Sequence, residues 1–292
     1  MSAVYKKELR SYFSTMIGYI SIAMILLMSG IFVRTICFGY RYPNMEFALP
    51  SASFILMLAV PILAMNSFSG ERQQKTDQLL YSLPIRTGQI VLGKYFAMMT
   101  VTAVPVLVMA IYPLILKLYG GSTFDAVLPG TYGSLFLFYL EIAAMAAICM
   151  FLSSLTESPV VAAVLGAGVL IFCYFAEILS SQLPSTPIAS FIALTVLILL
   201  AALAVYWFVK NYWVAFGAAV ALEAIMLIFY LTDSTSFAGL FTKVIGSISL
   251  FGFLSAAINN YLFDLTTVVY YLSVALLFGY LTIQTVEKRR WN

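Results

Sequence analysis

Few residues in this chain are able to do chemistry, and three of them stand in unusual surroundings. Glu141 and Glu223 fall near the middle of apolar runs, and Glu177 lies near the end of another. A carboxylate in such a place is costly unless it is neutralised, paired or hydrated, so function is the first hypothesis. No Lys or Arg stands at mid-run to pair with them, which points to a protonated or hydrated acid rather than a salt bridge. For Glu141 and Glu223 the functional reading is a polar pathway or a proton-coupled site. The structural reading is a protonated side chain bonded to a neighbouring helix or subunit. Glu177 is placed to reach headgroups at the outer end of its run.

A second constellation has the outline of a nucleotide site. Gly88-Gln-Ile-Val-Leu-Gly93-Lys94 spells the first seven positions of a phosphate-binding loop. The next residue is Tyr95, where magnesium coordination needs Ser or Thr, and the intervening residues open an apolar run with no strand before it. Backbone amides tied up in a helix cannot cradle phosphate. The chain is therefore read as having no ATP site of its own. With no histidine in 292 residues, Ser-His-Asp catalysis, His-ligated zinc and a histidine relay are excluded. Cys37, Cys149 and Cys173 show no paired spacing and read as packing residues.

The third candidate is the loop from Ser69 to Gln89. Thr76 and Asp77 are good helix N-caps. Leu79, Leu80 and Leu83 then fall on one side of a short helix, which Pro84 ends. Such a helix, held beneath a membrane, offers its leucines to another surface or folds back on its own bundle.

The elements that carry these residues follow from composition. Apolar residues make up 63% of the chain and charged ones 9%, whereas soluble domains carry about 25% charged residues. Soluble classes are excluded, and a barrel is excluded because the runs do not alternate. Apolar stretches of spanning length occur at Met16–Ile36, Ser51–Phe68, Ile90–Leu116, Thr131–Leu152, Pro159–Leu179, Ala189–Val209, Trp213–Leu231 and Thr266–Val286. The expectation is an all-α polytopic membrane protein with about eight transmembrane helices, kinked at Pro105 and Pro113 in the third. The net charge of +3 is too small to suggest nucleic acid.

Orientation follows from the bases. With the N-terminus inside, Lys6, Lys7, Arg10, Arg72, Lys75, Arg86, Lys94, Lys210, Lys288, Arg289 and Arg290 fall on the inner side. Only Arg34, Arg41, Lys117 and Lys243 fall outside. Both termini are expected in the cytoplasm, and Trp207, Trp213 and Trp291 at the inner boundary. A ninth span in Ser234–Phe263 would carry the basic C-terminus outside. That segment, broken by Gly239, Gly246 and Gly252, is expected as a pair of short helices on the outer side. Val4–Phe13 reads as an amphipathic helix whose pattern runs on to Met16. Tyr5, Leu9, Tyr12, Phe13 and Met16 form its apolar side, and Lys6, Lys7, Arg10 and Ser14 its polar side.

Taken in order, these residues resemble a family. Lys7-Glu8-Leu9-Arg10 is followed by two spans. Then come Glu71-Arg72, Thr76, Leu79-Leu80, Leu83-Pro84 and Gly93-Lys94, and the last span ends in Glu287-Lys-Arg-Arg. The pattern is similar to ABC-2 type permeases, particularly the gliding-motility and copper-nitrous-oxide-reductase-maturation branch. The resemblance implies a single transmembrane domain over residues 1–292, the permease subunit of an ATP-driven exporter in the bacterial cytoplasmic membrane. Residues 1–15, with Tyr5, Lys6, Lys7, Leu9 and Arg10, become an elbow helix. Residues 69–89 become the coupling loop, with Glu71, Arg72, Thr76, Asp77, Leu79, Leu80, Leu83 and Pro84 meeting the ATPase. Residues 234–263 become an outer re-entrant hairpin before the last span at 266–286. The implied partners are two ABC ATPase subunits, which hold the ATP and magnesium, and a second permease, identical or related. An auxiliary extracytoplasmic protein is compatible with the resemblance. The family core has six spans, so 189–209 and 213–231 are an extra pair. The rival reading is an ion-gradient-driven transporter or channel using Glu141 and Glu223.

Overall fold

The computed structural model describes residues 1–39, 45–77, 86–120, 128–182, 186–188, 190–196, 198, 217, 220–224, 226–227, 239–259 and 264–291. Among them there is no strand. The helices are α1 (Ser2–Ser14), α2 (Met16–Val33), α3 (Ala48–Ser53), α4 (Leu56–Ala64), α5 (Ser69–Gln73) and α6 (Thr87–Met109). They continue with α7 (Tyr112–Gly120), α8 (Leu128–Leu155), α9 (Pro159–Gln182), α10 (Leu240–Ile248), α11 (Leu250–Asn259) and α12 (Leu265–Trp291). Five helical stretches here are long and apolar enough to cross a membrane, or up to seven if two bent pairs each count as a span. Most residues of the predicted pair 189–209 and 213–231 lie outside those described, as do Trp207 and Trp213.

The chain divides into two compact units, one formed by Met1–Phe172 with Leu250–Asn292 and the other by Cys173–Ser249. In the first unit α8 is the hub, against which α4, α6, α11 and α12 all pack. Its centre, Ile142-Ala-Ala-Met-Ala-Ala-Ile148, explains this role. Small residues let neighbouring backbones approach closely where lipid supplies no hydrophobic drive between helices. Phe138, Ala144, Met145, Ala146, Ala147 and Met150 are completely buried. The flanking helices α2 and α12 turn large apolar side chains outward, among them Leu27, Ile31, Val269 and Leu276, as helices facing lipid must. Cys37, Cys149 and Cys173 are buried and form no disulfide, in keeping with packing roles.

Three details differ from the sequence expectations. The second apolar run is a broken pair rather than one span. The stretches Met45–Ser53 and Leu56–Ala64 meet at an angle of 57°, and apolarity is continuous across the break, so composition gave no sign of it. The long third run is interrupted at Ala110–Ile111, between α6 and α7, which lies between Pro105 and Pro113. Pro105 itself sits inside α6. In 239–259 the chain forms two short helices, as expected. The break falls at Ser249, in an extended conformation, while Gly246 and Gly252 lie within helices. Gly239, at φ 73°, is the glycine that marks a boundary.

The N-terminal helix exists, and its packed side overlaps the predicted apolar one: Tyr5 and Leu9 are half-buried, while Lys6, Lys7, Arg10 and Ser14 of the predicted polar side are exposed. Val4, Glu8 and Tyr12 are buried, whereas Phe13 and Met16 are exposed. The apolar stripe drawn from the sequence was set by hydrophobicity alone. The side that docks on α6 adds Val4 and Glu8 to it, Val4 against Gly93 and Glu8 against Lys94. The corner into α2 is tight, since a Cβ at Gly18 would lie 2.6 Å from the Tyr12 carbonyl oxygen.

Candidate functional site

The most concentrated chemistry lies where α1, the α4–α5 connection and the start of α6 meet. Lys94 stands about two turns into α6, and its side chain is 1% exposed. Its ammonium has three hydrogen-bonding positions, and three acceptors meet it. Lys94 Nζ lies 3.1 Å from Glu8 Oε1 and 2.9 Å from Glu71 Oε2, and donates to the Ser67 carbonyl at 2.6 Å. The Phe68 ring centroid is 5.1 Å away, a cation–π distance. Lys7, more exposed, donates to Glu71 Oε1 at 2.6 Å and lies 3.6 Å from Glu8. Two acids and two bases therefore neutralise one another across three chain segments. Such a cluster is stable only as a set, because removing one partner strands a buried charge.

Gly93 makes the meeting possible. A Cβ there would stand 3.2 Å from both Cβ and Cγ1 of Val4, so α1 lies close against α6 at this point. The Gly-Lys dipeptide that resembled a phosphate loop is thus a docking device within a helix. Glycine admits Val4, and lysine binds the acid one turn further along α1. Tyr5 adds a hydroxyl contact to Thr100 at 3.0 Å.

Electrostatics reinforce the arrangement. Burial pushes the Glu71 carboxyl up, but the charges of Lys94 and Lys7 and their hydrogen bonds outweigh it and hold its pKa below the ordinary value. Burial pushes Lys7 down, but bonding and attraction to Glu71, then attraction to Glu8, leave its pKa raised. Burial, with the nearby charges of Glu8 and Glu71, raises the Tyr12 hydroxyl far above its usual range.

Past Glu71, the segment is fixed to α8. Arg72 is buried and donates through Nη1 to the carbonyls of Ser154 and Thr156. Ser153 Oγ receives the amides of Phe68 and Ser69. From the C-terminal helix, Arg289 donates to the Leu155 carbonyl at 2.9 Å. Two guanidiniums from distant parts of the chain thereby cap the C-terminal end of α8, where orphan carbonyls and the helix dipole favour cations. Helix α5 closes with Lys75 at φ 56°. The Thr76 amide bonds back to Glu71 O and that of Lys75 to Arg72 O, the paired bonds of a Schellman ending. Thr76 lies outside helix, its hydroxyl donating back to the Glu71 carbonyl at 3.2 Å, and the helix that Thr76 and Asp77 were expected to cap falls on residues outside those described. Leu79, Leu80, Leu83 and Pro84 lie outside the described residues. Of the remaining N-terminal candidates, Lys6 and Arg10 are exposed and Leu9 is half-buried.

The intramembrane acids lie elsewhere. Glu141 is wholly buried in α8, with Oε2 2.8 Å from the hydroxyl of Ser53, the last residue before the break in the second run. The same hydroxyl lies 3.2 Å from the Leu49 carbonyl. In the second unit, Thr195 Oγ1 lies 2.8 Å from Glu223 Oε1 and 3.0 Å from the Phe191 carbonyl. Each hydroxyl carries one proton for two acceptors. Each acid thus meets a hydroxyl from a distant part of the chain, the bonded-neighbour arrangement of the structural reading. Glu177 falls within α9.

The site contains two residues that the sequence candidates did not single out. Glu8 figured only as a letter in a motif, and Lys94 as a false phosphate-loop lysine. The signal for both was present, since a lysine two turns into an apolar span requires an acid, and Glu8 shares the Val4–Tyr12 side of α1. Among the described residues no group of three or more His, Cys, Asp or Glu could hold a metal. The chain matches no curated protein and no solved structure. Residues 5–191 match the family described as ABC-2 family transporter protein.

Proposed function

The chain belongs to the ABC-2 transporter family, and from that premise we propose that it is the permease subunit of an exporter powered by a separate ATPase. One observation carries the mechanism. The Lys94–Glu8–Glu71–Lys7 cluster ties together the N-terminal helix, the segment leaving the second apolar run and the first turns of α6. A coupling device must join these parts if movement beneath the membrane is to tilt helices within it. Glu71 and Arg72 form the fixed root of the coupling loop, Arg72 passing force to the end of α8. Residues Thr76 to Pro84, with Asp77 and the three leucines, form the part that follows the ATPase as it closes on ATP. The 57° break in the second run gives that movement a place to act.

In this reading residues 1–15 are the elbow helix, 234–263 the outer re-entrant hairpin and 189–231 an added pair of spans. Two ATPase copies, holding ATP and magnesium, serve two permeases, identical or related, in the bacterial cytoplasmic membrane. The termini face the cytoplasm. The motif order places the chain nearest the gliding-motility and copper-nitrous-oxide-reductase-maturation branch. Engagement of Glu141 and Glu223 by hydroxyls favours structural roles for them over a proton path.

The test is a double substitution, Leu79→Asp with Leu80→Asp. It is expected to abolish transport, substrate-stimulated ATP hydrolysis and co-purification of a P-loop ATPase, while membrane insertion continues. Normal transport by this variant would overturn the coupling assignment.

A further inference from the structure

A groove of about 470 Å³ opens between the start of α6 and the last turns of α12. Arg86, directly before α6, and Arg290, near the end of α12, both line it, brought together from positions more than two hundred residues apart. The helices touch at this level, where Gly88 faces the Ile283 side chain. Gln89 adds an amide, and Glu287 sets one carboxylate against two guanidiniums, so the lining remains net positive.

Two features select the ligand. Thr87 begins one candidate membrane span and Arg290 ends another, so the groove lies at the depth where headgroups meet the bilayer. Its lining also changes character along its length. Arginines and an amide surround the polar part, while Leu92, 42% exposed, lines the side further into the span. Guanidinium forks match phosphate oxygens in pairs, and an exposed leucine beyond them offers a surface to an acyl chain.

We propose that this groove binds an anionic phospholipid, its phosphate held by Arg86 and Arg290 and its chain lying along Leu92. The inference is independent of the transport reading, since it concerns lipid retained by the permease alone. Basic pockets between membrane helices are suited to such headgroups, and the attraction weakens with salt.

The experiment uses the full chain in detergent, delipidated and then titrated separately with phosphatidylglycerol, phosphatidylcholine and inorganic phosphate. Native mass spectrometry counts bound lipid, and thermal unfolding follows the response. Phosphatidylglycerol is expected to bind at least tenfold more tightly than phosphatidylcholine, and the preference to shrink as salt is raised. Arg86→Gln with Arg290→Gln should remove that preference, while Arg34→Gln, outside the groove, should leave it unchanged. If the double Gln variant does not fold, Leu92→Glu is expected to give the same loss from the acyl side. Equal binding of the two lipids, or a preference that survives in a folded double variant, would overturn the proposal. So would displacement of the lipid by submillimolar inorganic phosphate, which would identify an ion site instead. Loss of ATPase association with lipid preference intact would mark the groove as a protein contact and likewise refute it.

Discussion

Among the places where the first unit buries a carboxylate, two deal with it in opposite ways. At the α1–α6 junction Glu8 and Glu71 are matched by cations, Lys94 and Lys7 standing within 2.6–3.6 Å. At the α3–α8 contact Glu141 meets a serine hydroxyl at 2.8 Å. The first arrangement needs the charge to exist; the second needs only a side chain of the right length that can share a hydrogen bond. The difference separates a joint that transmits force between segments from a contact that holds two helices together.

The largest expected effect comes from stranding the junction's acids. Lys94→Met leaves Glu8 and Glu71 short of a cation and should cost roughly 3–5 kcal/mol, read as a lower unfolding midpoint in detergent. Adding Glu8→Gln and Glu71→Gln to Lys94→Met should recover much of that loss, since no buried charge then lacks a partner. A triple variant less stable than Lys94→Met would show that the four groups do not act as a set.

The comparison sharpens when the same change is made in both places. Glu71→Gln should destabilise the protein by about 2–3 kcal/mol, whereas Glu141→Gln should cost less than about 1 kcal/mol because an amide still meets Ser53. Transport should follow the same order. Abolished flux in a stably folded Glu141→Gln variant would return that residue to a proton-handling role.

A smaller effect is expected from geometry. Gly93→Ala places a methyl 3.2 Å from Val4. The strain, about 1–3 kcal/mol, is offset by roughly 1 kcal/mol of helix propensity, for a net loss near 1 kcal/mol. Val4→Ala removes Cγ1 but keeps Cβ and should relieve part of it, so the double mutant should be somewhat more stable than the sum of the single changes predicts. Strict additivity would place α1 further from α6 than the close approach at Gly93 requires.

The smallest effect is the pH response within the ordinary range. Glu71 has a lowered pKa, so its contribution is complete above the unfolded carboxylate value of roughly 4.3 and is lost as pH falls through the folded one. Lys7 has a raised pKa, so its contribution is complete below roughly 10.4 and is lost as pH rises through the folded value. The midpoint difference between the native protein and Glu71→Gln should therefore stay flat from about pH 6 to 9 and shrink below about pH 4.

Much of this organisation was legible in the amino-acid sequence. The long runs around α2, α6, α8, α9 and α12 were visible because a helix that crosses a membrane needs a long apolar stretch. The break after Ser53 was not, because no glycine or proline marks it and its partner Glu141 is 88 positions away. Glu8 was missed because reading α1 by hydrophobicity passes over a charged residue on the docked side, whose partner Lys94 is 86 positions away. Lys94 was seen, but its neighbours in sequence suggested phosphate, and only its neighbours in space supplied its partners.

The position of Lys94 also bears on how the protein is made. Both its acids, on α1 and α5, precede it in the chain, Glu8 by 86 residues. A lysine within an apolar segment discourages release into lipid, by up to about 2.5–3.5 kcal/mol at a helix centre and less near an end. When α6 leaves the ribosome, the groups that neutralise its lysine have already been synthesised and can be waiting at the membrane. The N-terminal helix is therefore an escort as well as a brace, and the order of synthesis lets the third apolar segment enter the bilayer with its charge already matched.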